Sequence, residues 1–394
     1  MLFEIILAAI AGIGLGIITG LIPGVHINLV AVLLFALAGL GYVNPFMICI
    51  TIICTAVTHT FLDTIPSVFL GCPEADNCLS VLPGHRLLLE GRGYMAVMLT
   101  VIGSLGGLIA SVTLVPILLQ IVSVIYEFLK DYIGYILLVI SLFLIYREGK
   151  SRLWALIVFL LCGVFALNVF NVTMKEPLFP LFSGMFGISM LILSSSSKIP
   201  EQKSFEIEMD KKEAGKAISC SVVVGWICSF MPGLGPSQAA IIGSQFVKLT
   251  NNGFLILVGG LSTVNMVLSL VTLYALEKAR NGAVVTVLNI METVSIRELT
   301  IFVAVALIAG GCAVILASFL SKKFAVLMNK VNYKALVYSV IALIIILVFL
   351  ICGWKGWVIL FFSTWIGIIP QVKGIGRNHM MGSLLLPVIL FFIL

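Results

Sequence analysis

The feature that most constrains this chain is its hydropathy profile, in which apolar stretches of membrane-spanning length follow one another almost without interruption. They fall at 3–22, 24–41, 45–70, 94–120, 132–146, 153–171 and 177–194, and resume at 217–231, 234–247, 254–276, 299–320, 335–352, 354–369 and 380–394. A helix needs about 20 such residues to cross the hydrocarbon core, so membrane segments and short loops use up the 394 residues. Composition agrees: 61% of residues are hydrophobic and 10% charged, where a soluble domain is about half apolar and a quarter charged. The expected fold class is an all-α polytopic membrane protein. The net charge of +6 rests on so few ionic groups that it reports loop topology rather than nucleic-acid binding.

Other classes find little support. Residues 1–20 contain Glu4 and no Lys or Arg, so the first segment lacks a signal peptide's positive flank and is expected to be retained. The nine cysteines lie mostly inside apolar runs, where Cys acts as a small hydrophobe. Cys72 and Cys78 flank a polar stretch without histidines at ligand spacing, so no metal, disulfide framework or cofactor is expected. Intramembrane aspartyl proteolysis needs two embedded aspartates and only Asp63 lies deep in a span. No His-Glu-x-x-His zinc motif occurs, and the chain is not expected to be an enzyme.

Seven stretches precede the charged segment 195–216 and seven follow it, and Gly20-Leu21-Ile22-Pro23-Gly24 recurs as Ser229-Phe230-Met231-Pro232-Gly233 between the first two segments of each half. An internal repeat accounts for both facts. It divides the chain into a first membrane repeat at 1–197, a charged cytoplasmic linker at 198–216 and a second repeat at 217–394. Proline suits the first turn of a helix and not its interior, so each Pro-Gly marks either the tip of a re-entrant hairpin or a turn between two crossings. With about five further spans, each half crosses an odd number of times, and the second half is inverted. Walking the segments puts Lys130, Lys175, Lys278, Arg280, Arg297 and Lys355 on one face and the remaining 17 of the 23 basic residues on the other. By the positive-inside rule the central linker is cytoplasmic and both termini are outside. Inverted repeats with broken helices are a construction of secondary transporters, whose sites lie near mid-membrane.

A helix that begins at Pro23 or Pro232 leaves amides without intrahelical acceptors, a cost in hydrocarbon that an anion can relieve. Gly24 and Gly233 let a ligand approach the backbone. Val25, His26 and Asn28 follow the first tip, and Leu234, Gly235, Ser237 and Gln238 the second, giving a candidate anion site of two half-sites. The plain alternative is a pair of helix breaks capped by their neighbours. In the third segment His59 and Asp63 are four apart and share a helix face. Ionisable groups at that depth suggest a proton or ion pathway, and Thr263 and Asn265 occupy the corresponding segment of the second half. These four are candidates for coupling H⁺ or Na⁺; the alternative is a structural His–Asp pair. In the loop 71–93, Arg86 could meet an anion entering from the cytoplasm or could simply obey the positive-inside rule. Lys373, Arg377 and His379 could form a second basic rim, and Glu277 with Arg280 are simplest as loop charges.

The run Phe230–Pro236, the earlier Gly20–Gly24 and Leu82-Pro83-Gly84-His85-Arg86 resemble motifs of the large membrane permease of the tripartite tricarboxylate transporters. The chain is closest in kind to the stand-alone archaeal-type members of that superfamily. The resemblance covers nearly the whole chain and implies a cation-coupled secondary transporter of a carboxylate-class anion, with Pro23-Gly24 and Pro232-Gly233 lining the site. Tripartite systems also use an external binding protein and a small membrane subunit, neither of which is fused here, and a homodimer is common among scaffold-and-transport folds. There is a more distant similarity to a family with paired Pro-Gly motifs associated with moving polyprenyl-phosphate lipid carriers. That family implies the alternative of a flippase whose lipid phosphate headgroup uses the same cradles.

Overall fold

The computed structural model describes all residues except 23–26, 40, 42, 72–80, 175, 195–199, 203–204, 232–234 and 331, and omits the side chains of 29, 81, 82, 194 and 333. The first half runs through α1 (Leu2–Leu21), α2 (Ile27–Gly39), α3 (Pro45–Leu62), α4 (Thr64–Phe69), α5 (Val81–Leu89), α6 (Gly93–Leu129), α7 (Ile133–Arg147), α8 (Arg152–Phe170), α9 (Leu178–Phe182), a π turn (Ser183–Ile188) and α10 (Ser189–Ser194). The second comprises α11 (Lys211–Phe230), α12 (Pro236–Phe246), α13 (Asn251–Leu276), α14 (Gly282–Met291), α15 (Ile296–Met328), α16 (Tyr333–Lys373) and α17 (Gly382–Ile393). Seven helices or continuous helical stretches are long and apolar enough to cross a membrane, and no strand occurs among the described residues. The protein is an all-α, multi-pass membrane protein.

Small residues decide which apolar helices can approach closely in lipid. On α1, Gly12, Gly16 and Gly20 recur every four residues and so share one face. They lie against Cys54, Thr58 and Leu62 of α3, so the two helices run parallel. On α11, Ser221, Gly225 and Ser229 have the same spacing. Gly260 and Val264 of α13 lie against the first two, and the Ser229 hydroxyl is 3.2 Å from that of Thr272. Both stripes stop three residues before a proline, Pro23 in one half and Pro232 in the other.

The order of elements also recurs. Long α6 and long α15 each follow a short helix, α5 or α14, that the hydropathy profile does not anticipate. Nine or ten residues fall well short of a span, and the segment 71–93 had been expected as loop. Across the centre, α6 packs on α13, where the Ser104 hydroxyl donates to the Gly259 carbonyl at 2.9 Å. The other pair is α3 on α15, with Phe46 and Phe302 stacked at 5.3 Å, continued where Phe69 of α4 lies 5.9 Å from Phe324 of α15. Between α6 and α15, Tyr94 meets Ser318 at 3.2 Å while Leu108 lies against Gly310. Numbering rises along one helix as it falls along the other, so the two helices are antiparallel.

The outer helices interlock. The hydroxyl of Ser363 on α16 donates to the Pro180 carbonyl at 3.0 Å, while on α17 Gly382 sits against Phe159 and Leu386 against Gly163 of α8. Each half's last segment therefore packs on the preceding helix of the other half. Within α16 the backbone turns at Gly353, where φ is +68°, a conformation that costs glycine little. The Trp357 indole donates to the Ile345 carbonyl at 2.8 Å. In a straight helix those residues would stand about 18 Å apart, so α16 is a hairpin whose arms match the expected 335–352 and 354–369. The central linker is shorter than expected. Asp210 accepts the Lys212 amide at 2.8 Å and starts α11, making 211–216 helical. Before it, Gln202 accepts the Gly93 amide and donates to the Leu88 carbonyl, at 2.9 and 2.8 Å.

Candidate functional site

Pro23, Gly24, Val25, His26, Pro232, Gly233 and Leu234 lie outside the described residues; their flanks do not. On the second side Gly235 precedes α12, and Ser237 and Gln238 are buried in its first turn. The Gln238 side-chain oxygen accepts the Gly235 amide at 2.9 Å. Its Nε2 is buried with no hydrogen-bond partner among the described residues, and the residue is 2% exposed. Leaving a buried donor unsatisfied costs about 1–3 kcal/mol, and this one stands at a helix N-terminus, where the backbone also favours an acceptor.

One loop joins the flanks of both tips. Arg280, between α13 and α14, donates to the Cys228 carbonyl at 2.8 Å, in the last turn of α11. Asn281 caps α14 by accepting the Ala283 amide at 3.0 Å. Gly282 begins that helix against the side chain of Asn28, in the first turn of α2. Consecutive Cα atoms are about 3.8 Å apart, so a three-residue segment touches the end of α11 and the start of α2. Arg280 is thus no simple loop charge. Its guanidinium is half-buried, and burial lowers its pKa to about 10, which leaves it cationic at neutral pH.

The candidate coupling residues separate into two groups. His59 and Asp63 are buried, with Nε2 and Oδ2 4.0 Å apart. Asp63 occupies the joint between α3 and α4, where its amide donates to the His59 carbonyl and its carbonyl accepts the Ser67 hydroxyl, both at 2.9 Å. Gly20 packs on Leu62 beside this joint, so the pair lies level with the end of α1. Thr60, on the same helix, places its hydroxyl 3.0 Å from that of Thr263. Asn265 does not join them. Two residues turn a helix by about 200°, and Asn265 shares the face of Thr272, which meets Ser229 of α11.

Arg86 is exposed on α5, its side chain with no hydrogen bond or ion pair among the described residues, while its neighbour His85 is buried. The expected rim at 373–379 divides three ways. Lys373 lies 4.0 Å over the Trp154 ring, His379 is 2.9 Å from Glu148, and Arg377 is buried. Sequence reading assigned no site role to Arg280 and did not anticipate the burial of Arg377, because a basic residue between apolar stretches carries no mark of burial. Alongside α11 and α12 runs an apolar recess of about 1000 Å³, walled by Ile136, Ile140, Val223 and Met231, with Lys212 and Lys216 also lining it. No group of three metal-ligating side chains occurs among the described residues, and Cys72 and Cys78 lie outside them.

Comparison with known proteins identifies the relatives. Residues 6–382 match the model of the tripartite tricarboxylate transporter TctA family. An uncharacterised protein of Methanocaldococcus jannaschii is 30% identical over 407 aligned positions, covering 98% of this chain and 99% of the relative. No solved structure matches.

Proposed function

The chain belongs to the tripartite tricarboxylate transporter family, and from that premise we propose that it is a cation-coupled secondary transporter of a carboxylate-class anion working by alternating access. The observation that carries this reading is the buried Nε2 of Gln238 at the N-terminus of α12, which has no hydrogen-bond partner among the described residues. A carboxylate oxygen satisfies such a donor, and the helix end adds a favourable field. The second tip supplies Gly233, Leu234, Gly235, Ser237 and Gln238; the first supplies Pro23, Gly24, Val25, His26 and Asn28; the loop at Arg280 keeps their flanks adjacent. His59 and Asp63, with Thr263 near them, bind the coupling H⁺ or Na⁺. The central linker faces the cytoplasm and both termini lie outside.

Radiolabelled citrate uptake into proteoliposomes, under imposed Na⁺ or pH gradients, tests the reading. Saturable, gradient-driven uptake is expected; unsaturable or gradient-independent flux would overturn it. A second reading, a flippase for polyprenyl phosphate, is favoured by the apolar recess along α11 and α12, which would house a lipid tail beside the same tip. Saturable translocation of a fluorescent polyprenyl phosphate, with no citrate uptake, would select it. An external binding protein and a homodimeric assembly are further expectations of the family reading.

A further inference from the structure

Apart from the tips, the molecule has a cavity of about 480 Å³ where Pro83 of α5, the α7–α8 joint, the end of α12 and residues 376–378 meet. Arg377 lines it and is only 9% exposed. A buried guanidinium is costly unless an opposite charge and acceptors surround it. Here the Nη2 atom reaches the Ser189 hydroxyl at 3.5 Å, a long contact, and Nε has no hydrogen-bond partner among the described residues. The nearby acid is engaged elsewhere: Glu148 Oε1 accepts the Gly376 amide at 3.0 Å and faces His379 Nε2 at 2.9 Å. No ion pair joins Arg377 to a carboxylate among the described residues. Across the cavity Arg147 contacts the Gln245 side chain, and Asn251 and Asn378 complete the polar lining. The wall behind Arg377 includes Phe186, within the π turn Ser183–Ile188; such turns occur often at functional sites.

We propose that this cavity is a second anion site, in which Arg377 supplies the missing counter-charge for one carboxylate-bearing molecule, with Arg147 on the opposite wall. The joint at 147–152, the end of α12 and the segment around 377 all lie on the face assigned most of the basic residues, so the site serves as an inner station between the tips and the cytoplasm. The chemistry is that of planar, two-point recognition, which a guanidinium fork performs and a lysine does not. The choice of anion class rests on the transport reading; the existence of the site does not.

Equilibrium dialysis of radiolabelled citrate, and separately inorganic phosphate, against the full chain in lipid nanodiscs tests the proposal. Three variants are compared with the unmodified protein: Arg377→Met, Arg377→Lys and Gln238→Leu. Replacing Arg377 with Met should weaken one citrate site by about tenfold to a hundredfold, and Lys should weaken it less. Gln238→Leu should leave that site intact. Without ligand, Arg377→Met should melt no lower than the unmodified protein, because the charge it removes has no partner. Unchanged citrate binding in both Arg377 variants overturns the inner site; if Gln238→Leu then loses binding, the tip reading survives alone. Loss in the Arg377 variants with none in Gln238→Leu supports the inner site and counts against the tip. Phosphate bound in preference to citrate overturns the carboxylate assignment, and no binding of either probe by the unmodified protein overturns the proposal altogether.

Discussion

Arg280 donates to the carbonyl of Cys228 across 2.8 Å. The contact puts a fixed positive charge at the C-terminal end of α11, where the helix dipole is negative. Two residues later the same segment begins α14 against Asn28. The end of α11 and the start of α2, which flank the two Pro-Gly motifs in sequence, are therefore bridged by a short, half-buried stretch of chain.

Arg280→Met removes that tether while keeping most of the side-chain bulk. The lost charge-assisted hydrogen bond corresponds to about 1.5–3 kcal/mol, and the expected result is a rise in the KM for uptake of about tenfold or more, partly restored in Arg280→Lys. An unchanged KM in uptake kinetics would show that the contact is dispensable.

Gln238→Leu separates function from stability. The substitution removes a buried donor that lacks an acceptor, a group costing about 1–3 kcal/mol, and forfeits one cap to Gly235. The ligand-free variant should melt at or above the unmodified protein while its uptake collapses. A parallel fall in both would assign the amide a structural role.

Asp63→Asn keeps the shape of the side chain at the α3–α4 joint but not its charge. Uptake should lose its response to the driving cation gradient, while counterflow of substrate down its own gradient persists. Retention of full gradient dependence in proteoliposomes would remove Asp63 from the coupling step.

Gly103→Val probes the central packing. A Cβ at Gly103 would collide with the backbone of Ile256 and Gly260 on α13, and backbone has no flexible end to yield. Overpacking of this kind costs typically about 1–3 kcal/mol and occasionally more, so little folded protein should elute on size exclusion. Gly14→Ala, on α1 where no atom lies within 4 Å of the added group, should match or exceed the melting temperature of the unmodified protein.

Hydropathy made the membrane class and the helical arms around Gly353 readable in advance, because lipid imposes its demand residue by residue along the chain. The short helices α5 and α14 escaped notice because their lengths are ordinary for loops and their apolar faces answer to neighbours. Thr263 and Asn265, close in sequence, were grouped together, yet helical rotation turns them to different partners. Arg280 reads as a loop charge and Arg377 as part of a basic rim for a deeper reason: burial of an arginine depends on what the rest of the chain stacks over it, and nothing local encodes that.

The crossing-over of the outer helices bears on biogenesis. Residues 178–194 emerge from the ribosome long before the α16 arm that receives them, and α8 likewise precedes its partner α17 by most of the second half. Newly inserted helices must therefore stand in lipid with their mating surfaces vacant until α16 and α17 are made. A message truncated before codon 382 should yield a chain that inserts but never closes, leaving the α8 surface around Phe159 and Gly163 open to quality-control proteases.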